Sequence, residues 1–219
     1  MKKYLDVLRK CPLFTGIEDK DLNAMLGCLG AKESQYKKGD TIFAEGDTAK
    51  HLGIVLTGKA QIERVDYYGN RSILTSVEPS KMFGESFACA GIKTLPVNVV
   101  AVEDTDVLLI DARRITQSCS NACSFHSRMI FNLLQIVAKK NLVFNQKIEV
   151  TSKRSTRDKL MTYLMLQAKN KGTNHFTVSY DRQELADYLE VDRSGLSAEI
   201  SKLRSEGKIK CQRSTFTLC

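Results

Sequence analysis

Between Tyr36 and Asp111 the chain is cut into short apolar runs by turn residues at nearly even spacing. The runs cover 41–43, 52–56, 60–65, 72–77, 97–102 and 107–110, and are rich in Val, Ile, Leu, Phe and Thr. Between them stand Lys38-Gly39-Asp40, Glu45-Gly46-Asp47, Thr57-Gly58-Lys59, Tyr68-Gly69-Asn70, Glu78-Pro79-Ser80 and Phe83-Gly84-Glu85. Runs this short, stopped by Gly and Pro, leave no room for a helix of useful length. Many short strands joined by tight turns predict a β-sandwich or a barrel-like roll. No glycine pattern of a dinucleotide or phosphate loop is present.

On either side of this block the period changes to that of helices. Leu5, Leu8, Leu13 and Phe14 are apolar among polar spacers, and Pro12 ends the first helical piece. Glu18 or Asp19 caps a second helix through Leu22, Met25, Leu26 and Leu29. Asp111 caps a short helix at 112–115. A long helix is predicted over 125–149, with Met129, Ile130, Leu133, Ile136, Val137, Val143, Phe144 and Ile148 as its apolar residues. The seam Ile130, Leu133, Val137, Phe144 points to a coiled-coil partner and hence a homodimer. The same stripe would also pack the helix on its own β domain, and Lys140 and Asn141 interrupt the seam. A polar, basic hinge follows at 151–155, and Thr156 caps a helix over 157–169.

Charge divides the chain in the same place. Residues 1–124 carry 16 Lys/Arg and 16 Asp/Glu, whereas residues 125–219 carry 17 and 9, so the whole net charge of +8 lies in the second part. A neutral module followed by a basic one suggests that the second faces a polyanion. No apolar run approaches the roughly 18 residues that span a bilayer. The first residues, Met1 to Asp6, hold no apolar stretch of leader length. Together with seven cysteines, an odd number, this points to reduced thiols, a cytoplasmic chain and no membrane partner.

The basic part carries the most specific pattern. Asp181-Arg182-Gln183-Glu184 is a capping box opening a short helix with Leu185, Ala186 and Leu189 inside. Glu190-Val191-Asp192 is a turn, and Asp192 caps a second helix over 193–206 that buries Leu196, Ile200 and Leu203 and stops at Gly207. Residues 208–211 and 215–218 read as a two-stranded wing around Gln212-Arg213-Ser214. Helix, turn, helix and hairpin make a winged helix-turn-helix. Its second helix presents Arg193, Ser194, Ser197, Ser201 and Lys202, which can donate to base edges and phosphates. Arg182 and Arg213 flank that face. A rival from another class is a small-molecule sensor whose basic half docks a protein or RNA.

Two stretches in this order resemble the CRP/FNR family of bacterial transcription regulators. One runs Lys38-Gly-Asp-Thr-Ile-Phe-Ala-Glu-Gly-Asp47, Leu52-Gly-Ile-Val-Leu-Thr-Gly-Lys-Ala60 and Met82-Phe-Gly-Glu85; the other runs from Asp181 to Ile209. With the long helix between them they cover nearly the whole chain. The resemblance implies an α+β chain of three parts: an effector domain over 1–124 folded as an antiparallel β-roll of the cupin-like, double-stranded jelly-roll kind, a dimerisation helix over 125–149 and a DNA-binding winged helix-turn-helix over 150–219. It also implies a double-stranded, pseudo-palindromic DNA operator as partner, and admits RNA polymerase as another. The docking geometry is that of the helix-turn-helix class, in which this family is a standard example.

The family's effector site carries over in part. The resemblance places it at Gly84, Glu85 and Ser86, with the carboxylate holding a ribose hydroxyl. The Arg-Ser pair that grips the cyclic phosphate in cyclic-AMP-binding members falls on Leu95-Pro96. Leu cannot replace a bidentate guanidinium, so cyclic AMP is an unsuitable ligand and the small effector is of another kind or absent. Lys93 is a weak substitute for an anion contact. The hydroxyl pair that meets adenine from the dimer helix falls on Val143-Phe144. Of the base-reading positions only Arg193 is kept, with Ser194 and Ala198 at the others, so the operator should differ from that of cyclic-AMP-type members.

Cys11 and Cys28 lack the spacing of an iron–sulfur cluster, and the four-apart pair Cys119 and Cys123 is the one candidate for redox or metal chemistry. His51, His126 and His175 are scattered. No nucleophile, base or ligand set converges, so an enzyme is not expected.

Overall fold

The computed structural model describes residues 2–116 and 124–219. Cys119 and Cys123, singled out by the sequence, lie outside the described residues. The chain is α+β: antiparallel sheets in its N-terminal part, a long helix, then a winged helix-turn-helix. In order, the elements begin with α1 (Leu5–Lys10), α2 (Asp19–Cys28), β1 (Lys32–Tyr36), β2 (Thr41–Phe43), β3 (His51–Thr57), β4 (Ala60–Val65) and β5 (Arg71–Val77). They continue with β6 (Met82–Phe83), α3 (Glu85–Ala90), β7 (Asn98–Ala101), β8 (Thr105–Asp111), α4 (Arg113–Thr116) and α5 (Ser124–Thr151). The last part holds α6 (Thr156–Lys171), β9 (His175–Thr177), α7 (Arg182–Leu189), α8 (Arg193–Ser205), β10 (Ile209–Gln212) and β11 (Thr215–Leu218). Two compact units result: residues 1–70 with 74–140, and residues 71–73 with 141–219.

The first unit is the roll. Its sheets have the orders β1-β8-β3-β6 and β2-β7-β4-β5. Strand β3 explains why 52–56 reads as one continuous apolar run: both of its faces are buried. Val55 points between the sheets with Ile42, Ala60, Ile62, Val99 and Val107. Leu52, Ile54 and Leu56 point the other way, into a second cluster with Leu8, Leu13, Met25, Leu29, Leu108 and Ile110. Alternate residues of a strand face opposite sides, so an uninterrupted run is the pattern of a strand covered on both. Helix α5 joins that second cluster through Met129, Leu133 and Ile136.

The second unit is built on α6, α7 and α8 over a three-stranded sheet, β10-β11-β9. Its core is Leu160, Tyr163, Leu164, Leu185, Leu189, Leu196, Ile200, Leu203 and Phe216. The wing has one strand more than its sequence suggests, because β9 pairs with β11, Phe176 opposite Phe216. Ser155, not Thr156, caps α6: its hydroxyl accepts from the Asp158 N–H at 3.0 Å.

Strands β1 and β6 and helix α3 went unpredicted. β1 is Lys-Glu-Ser-Gln-Tyr, largely polar because it is an edge strand, and it is held in place by five register pairs with β8.

Candidate nucleic-acid interface and effector pocket

The reading head is fixed from its caps upward. Asp181 accepts from the Glu184 N–H at 2.8 Å and Glu184 reaches back to the Asp181 N–H at 2.8 Å, so both halves of the capping box form. Glu190 ends α7 in the left-handed region, at φ +55°. Asp192 then accepts from the Gly195 N–H at 3.0 Å and from the Ser194 hydroxyl. Beneath, Leu196, Ile200 and Leu203 anchor α8 in the core. From α6, the Arg157 guanidinium pairs with Glu206 and lies 3.4 Å from Glu199, clamping α8 from the side. That pairing holds the Glu206 carboxyl far below the usual carboxylate range, down to about 2.

What remains outward on α8 is Arg193, Ser194 and Lys202, all exposed, with Ser197 half-buried. Ser201 is exposed, but its hydroxyl donates back to the Ser197 carbonyl at 3.0 Å, leaving only acceptor capacity. Arg213 stands exposed at the wing turn, at φ +52°. Arg182, expected on the DNA-binding face, is half-buried. Its guanidinium turns into the wing, Nη2 3.3 Å from the Arg213 carbonyl and 3.6 Å from Cys211 Sγ, with its plane over the Phe216 ring. Exposed Arg204, Lys208 and Lys210 extend the positive surface; the sequence showed them only as part of a general basic excess. The exposed cations thus run along α8 from Arg193 in its first turn to Lys202 and Arg204 in its last.

Helix α5 carries two stripes where the sequence showed one. Leu133 was expected at a dimer seam, and Met129 and Ile136 on the same dimerisation helix, but the three are 5%, 0% and 8% exposed and belong to the core of the roll unit. Ile130, Leu134, Phe144 and Ile148 are exposed, and Val137 is half-buried. Together with Asn141 these form the spacing 4, 3, 4, 3, 4, which keeps them within about 40° of one line along a helix turning 100° per residue. Leu134 was missed because its neighbour Leu133 fits a heptad equally well; only burial separates them.

In the roll unit, Gly84 precedes α3 at φ +78°, and a Cβ there would lie 2.9 Å from the Phe43 ring and 3.1 Å from the His51 carbonyl. Glycine is required to bring α3 this close to β3. Glu85 follows, 2% exposed. Its Oε1 meets the Lys140 ammonium at 2.8 Å and the Ser86 hydroxyl at 3.3 Å, while its Oε2 is buried without a hydrogen bond. Lys140 also donates to the Met82 carbonyl at 2.5 Å. Leu95 is buried, its backbone tied to Asp47 and Gly46, and Pro96 is exposed. Val143 and Phe144 belong to the second unit, where both are exposed. Read along the chain, Lys140 only interrupts the seam; its partner Glu85 lies 55 positions away and needs the fold to reach it.

Other candidates stay apart. His126 is buried with Nε2 3.4 Å from the Arg114 carbonyl, His175 meets the Thr217 hydroxyl, and His51 is exposed. Burial pushes the Cys11 thiol up to about 11. Among the described residues no three His, Cys, Asp or Glu side chains gather as metal ligands. None of the described helices is long and apolar enough to cross a membrane.

The fold and the site define a cyclic-nucleotide-binding-like roll joined to a winged reading head. Residues 33–122 match the family model of the cyclic nucleotide-binding domain, and residues 158–219 that of the Crp-like helix-turn-helix domain. With these two domains in this order, the chain belongs to the CRP/FNR family of transcription regulators. It is 34% identical over 80 residues to a CRP-like cAMP-activated global transcriptional regulator of Mycobacterium tuberculosis, spanning 36% of this chain and about a third, 35%, of that protein. It is 23% identical over 205 residues to the cyclic AMP receptor protein of Thermus thermophilus, spanning 93% of this chain and 90% of that one. In fold it is similar to the c-di-GMP-responsive global regulator CLP of Xanthomonas campestris, with a TM-score of 0.73 and 18% identity over 91% of this chain and 99% of that one.

Proposed function

We propose that this chain is a homodimeric transcription regulator that reads a pseudo-palindromic operator with α8 and pairs along the exposed stripe of α5. The observation that carries the reading is α8 itself. It is capped by Asp192, anchored by three buried apolar residues and clamped by Arg157, yet it leaves Arg193 and Lys202 free on its outer face. A helix held rigidly beneath and basic above is what major-groove reading requires. The chain acts where the chromosome is, in the cytoplasm, and an activator's role would add contact with RNA polymerase.

The roll is the sensing part, at Gly84, Glu85, Ser86, Leu95 and Pro96. Its effector is not cyclic AMP: the phosphate-gripping position is a buried leucine, and the ribose-binding carboxylate already has an ammonium partner in Lys140. Calorimetric titration with cyclic AMP should show no saturable heat, and micromolar binding would contradict this.

The reading is tested by selecting duplexes from a randomised library with the full chain. A sequence preference should emerge, and Arg193→Ala should relax it at one position of each half-site by about 1–3 kcal/mol. If Arg193→Ala leaves DNA binding untouched, the protein- or RNA-docking alternative gains instead.

A further inference from the structure

Lys147, near the end of α5, is 7% exposed, an unusual place for an ammonium. Burying a cation is costly unless its donors are matched, and here they are. Within the second unit its Nζ donates to the Ile73 carbonyl at 2.7 Å and to the Tyr188 carbonyl at 2.6 Å, and it lies 4.2 Å from the centroid of the Tyr188 ring. Tyr188 is itself stacked on Tyr180 at 5.0 Å and tilted against Tyr163 at 5.3 Å.

The place of these contacts matters more than their number. Tyr188 is in the last turn of α7, where carbonyls have no helical partners and the dipole end is negative. A second ammonium, Lys159 of α6, donates to the next two carbonyls, Leu189 and Glu190, each at 3.2 Å. The turn between α7 and the reading helix α8 is therefore gripped by two cations. One of them belongs to the helix whose exposed stripe would pair two chains. Arg71, paired with Asp187 at 2.6 Å, and Ser72, bonded to Glu190 at 3.2 Å, brace the same turn.

We infer that Lys147 is a positioning residue for DNA reading: it fixes the α7–α8 turn to the end of α5, so that pairing along α5 sets how the two recognition helices are held. An apolar side chain would fill the same space without gripping the turn. The inference rests on the dimeric DNA-reading proposal, and it adds a residue that touches no DNA.

The ammonium must be charged to act fully. Burial pushes its pKa down to about 8, with Glu190 pulling it back up and Lys159 adding to the fall. Facing it are Glu190, Lys159 and Tyr188, whose phenol is pushed up to about 12 by burial and stays neutral over the range of interest.

The test uses the full chain, its Lys147→Met, Lys147→Gln and Lys147→Arg variants, the duplex that the wild-type chain selects from the randomised library, and a scrambled duplex. Lys147→Met and Lys147→Gln should raise amide hydrogen exchange at 185–192 with little change elsewhere. Both should weaken binding to the selected duplex about tenfold or more, while binding to the scrambled duplex, set by phosphate contacts, moves less than about twofold. Lys147→Arg should keep most of the affinity. Wild-type affinity should fall from about pH 7 to pH 9, and that fall should vanish in Lys147→Arg, whose charge does not titrate there. Raised exchange with unchanged specific affinity would overturn the positioning role, and unchanged exchange would overturn the clamp. If the wild-type chain selects no duplex, the DNA-reading proposal fails and the positioning role fails with it, while the exchange data still decide whether the clamp exists.

Discussion

Glu85 is a buried carboxylate, and the Lys140 ammonium stands 2.8 Å from its Oε1. The pair Glu85–Lys140 has a direct stability test. Lys140→Met strands a buried carboxylate and should cost about 3 kcal/mol. Adding Glu85→Gln should recover much of that loss, read as a rise in thermal midpoint over the single variant. On α8, Gly195 has room: a Cβ there would meet only Asp192 Oδ2, at 3.9 Å. Gly195→Ala should therefore stabilise the helix by about 1 kcal/mol. If it also weakens DNA binding, the glycine serves close approach to the duplex. The Arg157–Glu206 pair gives a pH prediction. Because the folded carboxyl sits near 2, below its ordinary 4.5, its stabilisation is present above pH 4.5 and is lost as the pH falls from there through 2. Thermal midpoints of the full chain should fall over that window, and Arg157→Gln should make the fall shallower.

At the scale of elements, α5 is where sequence and structure part most instructively. A heptad read from residue types alone cannot tell Leu133 from Leu134, since both continue a 3–4 pattern from Ile130. The fold separates them: Leu133 packs on the roll and Leu134 faces out. Leu134→Glu should thus leave a folded chain that sediments as a monomer, whereas Leu133→Glu should unfold the roll unit; the reverse outcome would reassign the stripe. Asn141 falls in the middle of the outward stripe. A polar residue at such a position specifies register at a cost in stability. Asn141→Leu should tighten association and admit species other than the dimer, seen by ultracentrifugation. Elsewhere the elements were largely legible. The Asp181–Glu184 box and the Asp192 cap were plain because capping is local chemistry, written within four residues. β1 was not, since its polar edge-strand sequence takes its conformation from β8, more than seventy residues on. The inward turn of Arg182 and the partners of Lys140 and Lys147 were hidden for the same reason: each depends on backbone carbonyls or carboxylates far away in the chain.

For the whole molecule, the +8 charge of the sequence is only partly turned outward: Arg157, Arg182, Lys147 and Lys159 serve the protein's own carbonyls and carboxylates, and Lys208 pairs with Glu206. Fewer cations are therefore available to phosphates than the composition implies, and the salt slope should reflect the exposed set alone. Each half of the family match has its counterpart in a compact unit, and α5 runs from one unit into the other. The measurement that bears most directly on the account is the stoichiometry and specificity of the full chain on its selected duplex, by sedimentation with labelled DNA. We predict two chains per duplex, half-sites about one helical turn, 34 Å, apart, and affinity at least about a thousandfold above that for a scrambled duplex. A single chain per duplex, or equal affinity for both DNAs, would contradict it.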